Sequence, residues 1–196
     1  QIVFTAVSGA VHSFASTLTL EPAGVVNAIS PSSGQYGTLV TLSGTQLLGR
    51  ASQLQSASLG GVSVDRIVSA SNDEVVVAAG VGNASDVGGV ELRAISGALV
   101  EAAAGATFTF VPQGVIESFT PASGQLGTVV SVLGRNLLGG GQEAATVLLA
   151  GLASEVLSGN DTLVVVRAPL SNSSAIVSGP AVVVADTGAL SRPSTD

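Results

Sequence analysis

A nine-residue stretch occurs twice, and its spacing constrains the fold more than any other feature. It reads Ser30-Pro31-Ser32-Ser33-Gly34-Gln35-Tyr36-Gly37-Thr38, then Thr120-Pro121-Ala122-Ser123-Gly124-Gln125-Leu126-Gly127-Thr128, with the prolines 90 residues apart. In a chain of 196 residues this period leaves room for two modules of small-domain size. Each must bury its own core. Hydrophobic residues make up 46% of the chain and aromatics only 3%, so those cores are built from Val, Leu, Ile and Ala.

Between the repeats the apolar pattern has period two, and helical periodicity is scarce. In the first copy, Val25-Val26-Asn27-Ala28-Ile29 is short and extended, and Thr38-Leu39-Val40-Thr41-Leu42-Ser43-Gly44 alternates. Ala57-Ser58-Leu59 and Val62-Ser63-Val64 flank Gly60-Gly61, a two-residue hairpin turn. Glu74-Val75-Val76-Val77-Ala78 reads as a buried strand. The second copy repeats the order with Val115-Ile116-Glu117-Ser118-Phe119, Val147-Leu148-Leu149 and Thr162-Leu163-Val164-Val165-Val166. Helix formers cluster at Glu101-Ala102-Ala103-Ala104, too briefly for a helix to stand alone. Short strands with turn signals between them predict an all-β chain of antiparallel β-sandwiches.

The pattern also marks the ends. Ile2-Val3-Phe4-Thr5-Ala6-Val7, the Ser8-Gly9 turn and Thr17-Leu18-Thr19-Leu20 resemble Val90 to Leu99 followed by Thr107-Phe108-Thr109-Phe110. Residues 1–24 therefore read as the closing strands of a preceding module, 25–113 as a whole module, and 114–196 as a second module lacking its last strand. The joints Glu21-Pro22-Ala23-Gly24 and Val111-Pro112-Gln113-Gly114 are short and contain proline, so they predict a stiff connection. The chain has no methionine and is expected to be a processed product or a window on a longer polypeptide. Either the strand at 17–20 completes a neighbour's sheet by strand addition, or the polypeptide continues past both ends. Continuation is the preferred expectation, because residues 1–7 duplicate a strand that 182–186 already supply.

Composition excludes several function classes. Charged residues are 10% of the chain and the net charge is −7; the basic residues are six scattered arginines. Neutralising phosphates takes a basic patch, so nucleic-acid binding is not expected. Without cysteine there are no disulfides, thiolate metal sites or Cys nucleophiles. No apolar run approaches the roughly 18–20 residues of a membrane helix. His12 is the one histidine and has no carboxylate or serine partner evident in the sequence. Gly139-Gly140-Gly141-Gln142-Glu143-Ala144 fits a dinucleotide fingerprint only loosely and lies in a loop between strands. No catalytic residue, cofactor or metal site is expected.

The module opening, Ile29-Ser30-Pro31-Ser32-Ser33-Gly34-Gln35-Tyr36-Gly37-Thr38-Leu39-Val40-Thr41-Leu42-Ser43-Gly44, resembles the IPT/TIG family (immunoglobulin-like, plexin, transcription factor). Phe119-Thr120-Pro121, Gly124, Gly127-Thr128, Val130 and Gly134 repeat it. Gln46-Leu47, Asn136-Leu137 and Leu59-Gly60-Gly61 continue the likeness. It implies tandem immunoglobulin-like sandwiches and carries little information about activity. Pro31 and Pro121 are read as structural turn residues that end the first strand, and Gly34, Gly37, Gly124 and Gly127 as glycines with positive φ.

Three sequons, at Asn83, Asn160 and Asn172, fall in predicted loops or strand edges and are candidate N-glycosylation sites. Glycans would keep a surface with so few charges soluble. The reading that results is a non-catalytic structural segment of a long, extracellular or cell-surface, glycosylated protein. It would assemble into a filament through stacked modules, with copies of itself or neighbouring modules as partners. The alternative is a ligand-binding or adhesion module of a cell-surface receptor. Aromatic anchors are sparse for that role: Tyr36 is the one tyrosine, and tryptophan is absent.

Overall fold

The computed structural model describes residues 2–14, 19–170 and 176–194. All regular structure in them is β. A hairpin of β1 (Ile2–Thr5) and β2 (Val11–Phe14) comes first. The sequence places the partner of β1 at residues 17–20, but β1 pairs with β2, in the register Val3↔Ser13 and Phe4↔His12. The tight turn decides this: Gly9 has φ 81°, Gly9 N donates to Ala6 O and Ala6 N to Ala10 O. The residues that follow the turn are thereby brought alongside β1. Thr17 and Leu18 lie outside the described residues.

The first module contains β3 (Val25–Ser30), β4 (Ser33–Gly34), β5 (Leu39–Thr45), β6 (Leu54–Leu59), β7 (Val62–Ser63), β8 (Arg66–Ala70), β9 (Glu74–Ala78), β10 (Val87–Gly88), β11 (Val90–Ala94), β12 (Leu99–Ala102) and β13 (Phe108–Phe110). One hydrogen-bonded ribbon runs β7-β6-β11-β12-β3-β5-β9-β8, and a small sheet runs β10-β13-β4. Two pairings are parallel, β12 with β3 and β13 with β4. The short helix-forming run at 101–104 begins inside β12. The core gathers Val26, Val40, Leu42, Leu59, Val75, Val77, Leu92, Phe108 and Phe110. They come from alternate positions of facing strands, as period two requires.

The second module contains β14 (Val115–Thr120), β15 (Val129–Arg135), β16 (Ala144–Leu149), β17 (Leu152–Gly159), β18 (Leu163–Arg167), β19 (Ala181–Ala185) and β20 (Leu190–Pro193). Its core holds Ile116, Val132, Leu137, Val147, Val164, Val166, Val183 and Ala189. Here β17 pairs with both β16 and β18 and closes the ribbon on itself. In the first module the same stretch is split into β7 and β8, and the ribbon stays open.

Each nine-residue repeat forms the same turn. Strands β3 and β14 stop at Ser30 and Thr120, followed by cis Ser30–Pro31 and Thr120–Pro121 bonds. Gly37 and Gly127 have φ of 87° and 84°. Gly34 and Gly124 do not share that conformation, contrary to the sequence reading. Their requirement is space: a Cβ would stand 2.5 Å from Thr38 Oγ1 at Gly34 and 2.7 Å from Thr128 Oγ1 at Gly124. Those threonine hydroxyls accept from Gln35 N and Gln125 N and so brace each turn from inside.

Candidate functional site

The first turn is docked on the second module. Gln35, at its tip, is 1% exposed. Its Nε2 donates to Ser191 Oγ at 3.3 Å, and its Oε1 accepts from Gly114 N in the joint. Ser191 is itself fully buried and donates onward to Leu137 O at 3.0 Å. A buried amide left unpaired would cost about 1–3 kcal/mol; here both ends of the side chain are satisfied by groups outside its own module.

Backbone bonds flank this contact. Leu39 N donates to Thr187 O at 2.8 Å, and Leu190 N to Tyr36 O at 3.0 Å. Gln113, in the joint, accepts from Tyr36 N and donates to Leu190 O. The Arg192 guanidinium lies 5.4 Å from the centre of the Tyr36 ring, and Tyr36 OH donates to Asp65. The two backbones approach closely: a Cβ on Gly37 would stand 2.8 Å from Leu190 Cγ, and one on Gly188 would stand 2.9 Å from Leu39 Cγ. The turn therefore acts as a clamp between modules. Gln35, Gln113 and Ser191 do not stand out as functional residues in the sequence. A signal is nonetheless present, since Gln recurs at the tip of both repeats.

The second copy of the turn has no such cover among the described residues. Gln125 is exposed, and Leu126 is 62% exposed. Beside it opens an apolar groove of about 790 Å³, lined by Phe119, Val130, Leu149, Leu152 and Ala181. Ser123, Gly124, Ile176, Val177, Ser178 and Gly179 also line it. Their counterparts in the first module, Ile29, Val40, Leu59, Val62 and Val90, pack in the cluster that contains Phe108 and Phe110 of β13. Those two rings meet edge to face at 5.1 Å. Among the described residues, no strand pairs with Ser123-Gly124 as β13 pairs with β4.

The remaining candidates sit apart from both features. Asn83 is exposed in the loop after β9, and its N–H donates to Asp86. Asn160 is exposed in the β17–β18 turn; its Oδ1 accepts from Thr162 N, Thr162 Oγ1 and Leu163 N. An N-linked glycan attaches at Nδ2, so turn and sugar do not compete. Asn172 lies outside the described residues. His12 is exposed on β2. Gly139, from the loose fingerprint, packs against Gln35: its Cβ would meet Gln35 Cδ at 2.4 Å. Among the described residues no group of three or more His, Cys, Asp or Glu side chains converges on a metal position. No helix is long and apolar enough to cross a membrane.

The family model described as IPT/TIG domain matches twice, over residues 25–110 and 115–194. No curated protein matches the chain. Among solved structures, the chain is similar to the full extracellular region of plexin A4, domains 1 to 10, at 18% identity and a TM-score of 0.51. That alignment covers 98% of this chain and 18% of the plexin chain. A second match is a surface glycan-binding protein of the Bacteroides ovatus mixed-linkage glucan utilization locus, solved with a heptasaccharide. It is 15% identical, covering 89% of this chain and 42% of that one, at a TM-score of 0.36. The chain thus spans less than half of either structure.

Proposed function

The chain belongs to the IPT/TIG family as a tandem pair of its domains, and from that premise we propose that it is a non-catalytic, extracellular rod segment whose modules stack end to end and form a filament. The observation that carries this is the clamp around Gln35. A chain whose modules only had to coexist has no use for a buried amide shared between them. The joint of Val111-Pro112-Gln113-Gly114 is too short to act as a tether, and Gln113 itself is hydrogen-bonded into the clamp. N-linked glycans at Asn83, Asn160 and Asn172 belong to the same reading, because a surface with 10% charged residues gains hydration from sugar.

A ligand-binding or adhesion module is the second reading, favoured by one observation, the apolar groove. Its lining includes a single aromatic ring, Phe119, which is little for a sugar-stacking platform or a protein hot spot.

Small-angle scattering of the full chain tests the rod. At the dilute limit, a single elongated particle is expected. Gln35→Ala should broaden the distance distribution by loosening the joint while both modules stay folded. A wild-type profile already fitted only by a wide range of inter-module angles would sink the proposal.

A further inference from the structure

Resting on the glycosylation reading of Asn160 above, we propose that the N-linked glycan of this sequon folds back onto its own module. It covers an apolar patch on the outer face of the β14-β15-β18-β17 sheet, centred on Leu133 and Leu163.

The two modules differ at this place in two ways at once. In the first, the turn before β9 is capped by Ser71, whose Oγ accepts from Asp73 N at 3.3 Å and from Glu74 N at 3.0 Å. Beside that turn, Ser43 and Glu74 stand opposite each other on β5 and β9, both exposed. In the second, the matching turn is capped by Asn160, whose Oδ1 accepts from Thr162 N and Leu163 N, each at 2.9 Å. The matching cross-strand pair is Leu133 and Leu163. The turn without a sequon goes with a polar pair, and the turn with one goes with two leucines. The strands do not require those leucines, because β5 and β9 pair in the same way with Ser and Glu.

Val132 and Val164 are fully buried in the core, so Leu133 and Leu163 next to them face outward. Leu133 is 42% exposed, and Leu157, at the bulge of β17, is 40% exposed. Leu163 and Val165 are half-buried beside them. An isolated exposed leucine calls for no explanation; a group of them on one sheet face does. Asn160 stands at the edge of this group. Its N–H donates to Leu163 O at 2.8 Å, and Leu163 N returns the bond to its side chain.

Three hydrogen bonds, with Thr162 Oγ1 giving the third at 3.0 Å, pin the carbonyl end of the Asn160 amide to the turn. Nδ2 is thereby held on the side away from the turn, and a sugar on it starts from a fixed point. Attachment joins Nδ2 to C1 of the first sugar of a lipid-diphosphate-linked oligosaccharide. The C1–O bond breaks, the diphosphate leaves with the electron pair, and Nδ2 gives up one proton. The amide stays neutral and Oδ1 keeps its bonds. A pyranose ring carries C–H groups on its faces and hydroxyls around its rim. Laid on Leu and Val, it removes apolar surface from water while the hydroxyls stay hydrated. Aliphatic side chains hold a free sugar weakly, but a tethered one is present at an effective concentration in the roughly millimolar range. An aromatic platform is therefore not needed here.

The full chain, secreted from a eukaryotic cell line that attaches N-glycans, is the material for the test, with mass spectrometry for occupancy and methyl NMR for contact. Asn160 is expected to carry a glycan, and ring protons of its first sugars should give NOEs to the methyl groups of Leu133 and Leu163. Two variants copy the first module and so keep the fold. Asn160→Ser retains a turn-capping hydroxyl and loses the glycan; binding of a dye specific for apolar surface should rise. Leu133→Ser combined with Leu163→Glu retains the glycan and loses the apolar pair; the sugar signals should narrow to those of a freely moving glycan. An unoccupied Asn160 would overturn the glycosylation reading at this site and the proposal with it. An occupied Asn160 without sugar–leucine NOEs would leave that reading standing and overturn the covering alone. If the glycosylated chain self-associates in sedimentation velocity and the leucine-pair variant does not, a second copy covers the face and the proposal fails.

Discussion

The two turns are the same backbone in two environments, which isolates what the joint asks of single residues. Gly37 and Gly127 both have φ near 85°, at 87° and 84°. A Cβ on Gly37 would meet Leu190 Cγ at 2.8 Å and Gly188 O at 2.9 Å; one on Gly127 would meet nothing within 4 Å. Gly127→Ala should therefore cost only the left-handed strain, about 1 kcal/mol. Gly37→Ala should cost that plus the displacement of Leu190, roughly 1–3 kcal/mol more, and should release the clamp. Urea unfolding of the two variants gives the difference, and amide exchange at Leu190 and Gly114 locates it. Equal costs would mean that the clamp contributes nothing to stability. The positive φ at these two glycines is legible in the repeat, because a tight reversal just before a strand calls for a residue that enters the left-handed region without penalty. The burial of Gln35 is not, because an identical Gln125 lies exposed. Burial depends on what the neighbouring module presents, and a pattern within a single module carries no record of that.

At the scale of strands, the alternation of Thr107-Phe108-Thr109-Phe110 predicts a strand, and β13 forms there. Its parallel pairing with β4 is outside the reach of local pattern. Period two says which side chains share a face and nothing about which distant edge the strand meets. The same blindness hides the closure of the second module, where one continuous β17 replaces the broken pair β7 and β8. β13 is short, yet it carries two of the largest fully buried side chains in the chain. Gly82 leaves no room beside it: a Cβ there would stand 2.6 Å from the Phe110 ring. Phe110→Ala should destabilise the first module by about 3–5 kcal/mol and leave the second module's transition nearly in place. Chemical denaturation read by exchange-resolved NMR separates the two. A loss below about 1 kcal/mol would show that β13 contributes little to the core of the first module.

The whole molecule is acidic, yet charge does little to arrange it. Its ion pairs, Arg50–Glu21, Arg66–Asp65, Arg93–Glu91, Arg135–Glu117 and Arg167–Glu155, are all at the surface, and none of them bridges the two modules. Pairs of this kind contribute at most about 1 kcal/mol each and are screened by salt. The joint relies instead on a buried amide, backbone hydrogen bonds and apolar contact, which lie largely beyond the reach of counterions. The guanidinium of Arg192 over Tyr36 adds on the order of 0.5–1 kcal/mol at an exposed site. A filament held by such joints has a shape indifferent to ionic strength. Two acidic modules on a loose tether would behave otherwise, spreading at low salt and closing up as the Debye length falls to about 3 Å near 1 M. The maximum dimension of the full chain from scattering should therefore stay constant from low salt to about 1 M NaCl. Compaction on adding salt would locate the rigidity in charge repulsion and take away the clamp's role.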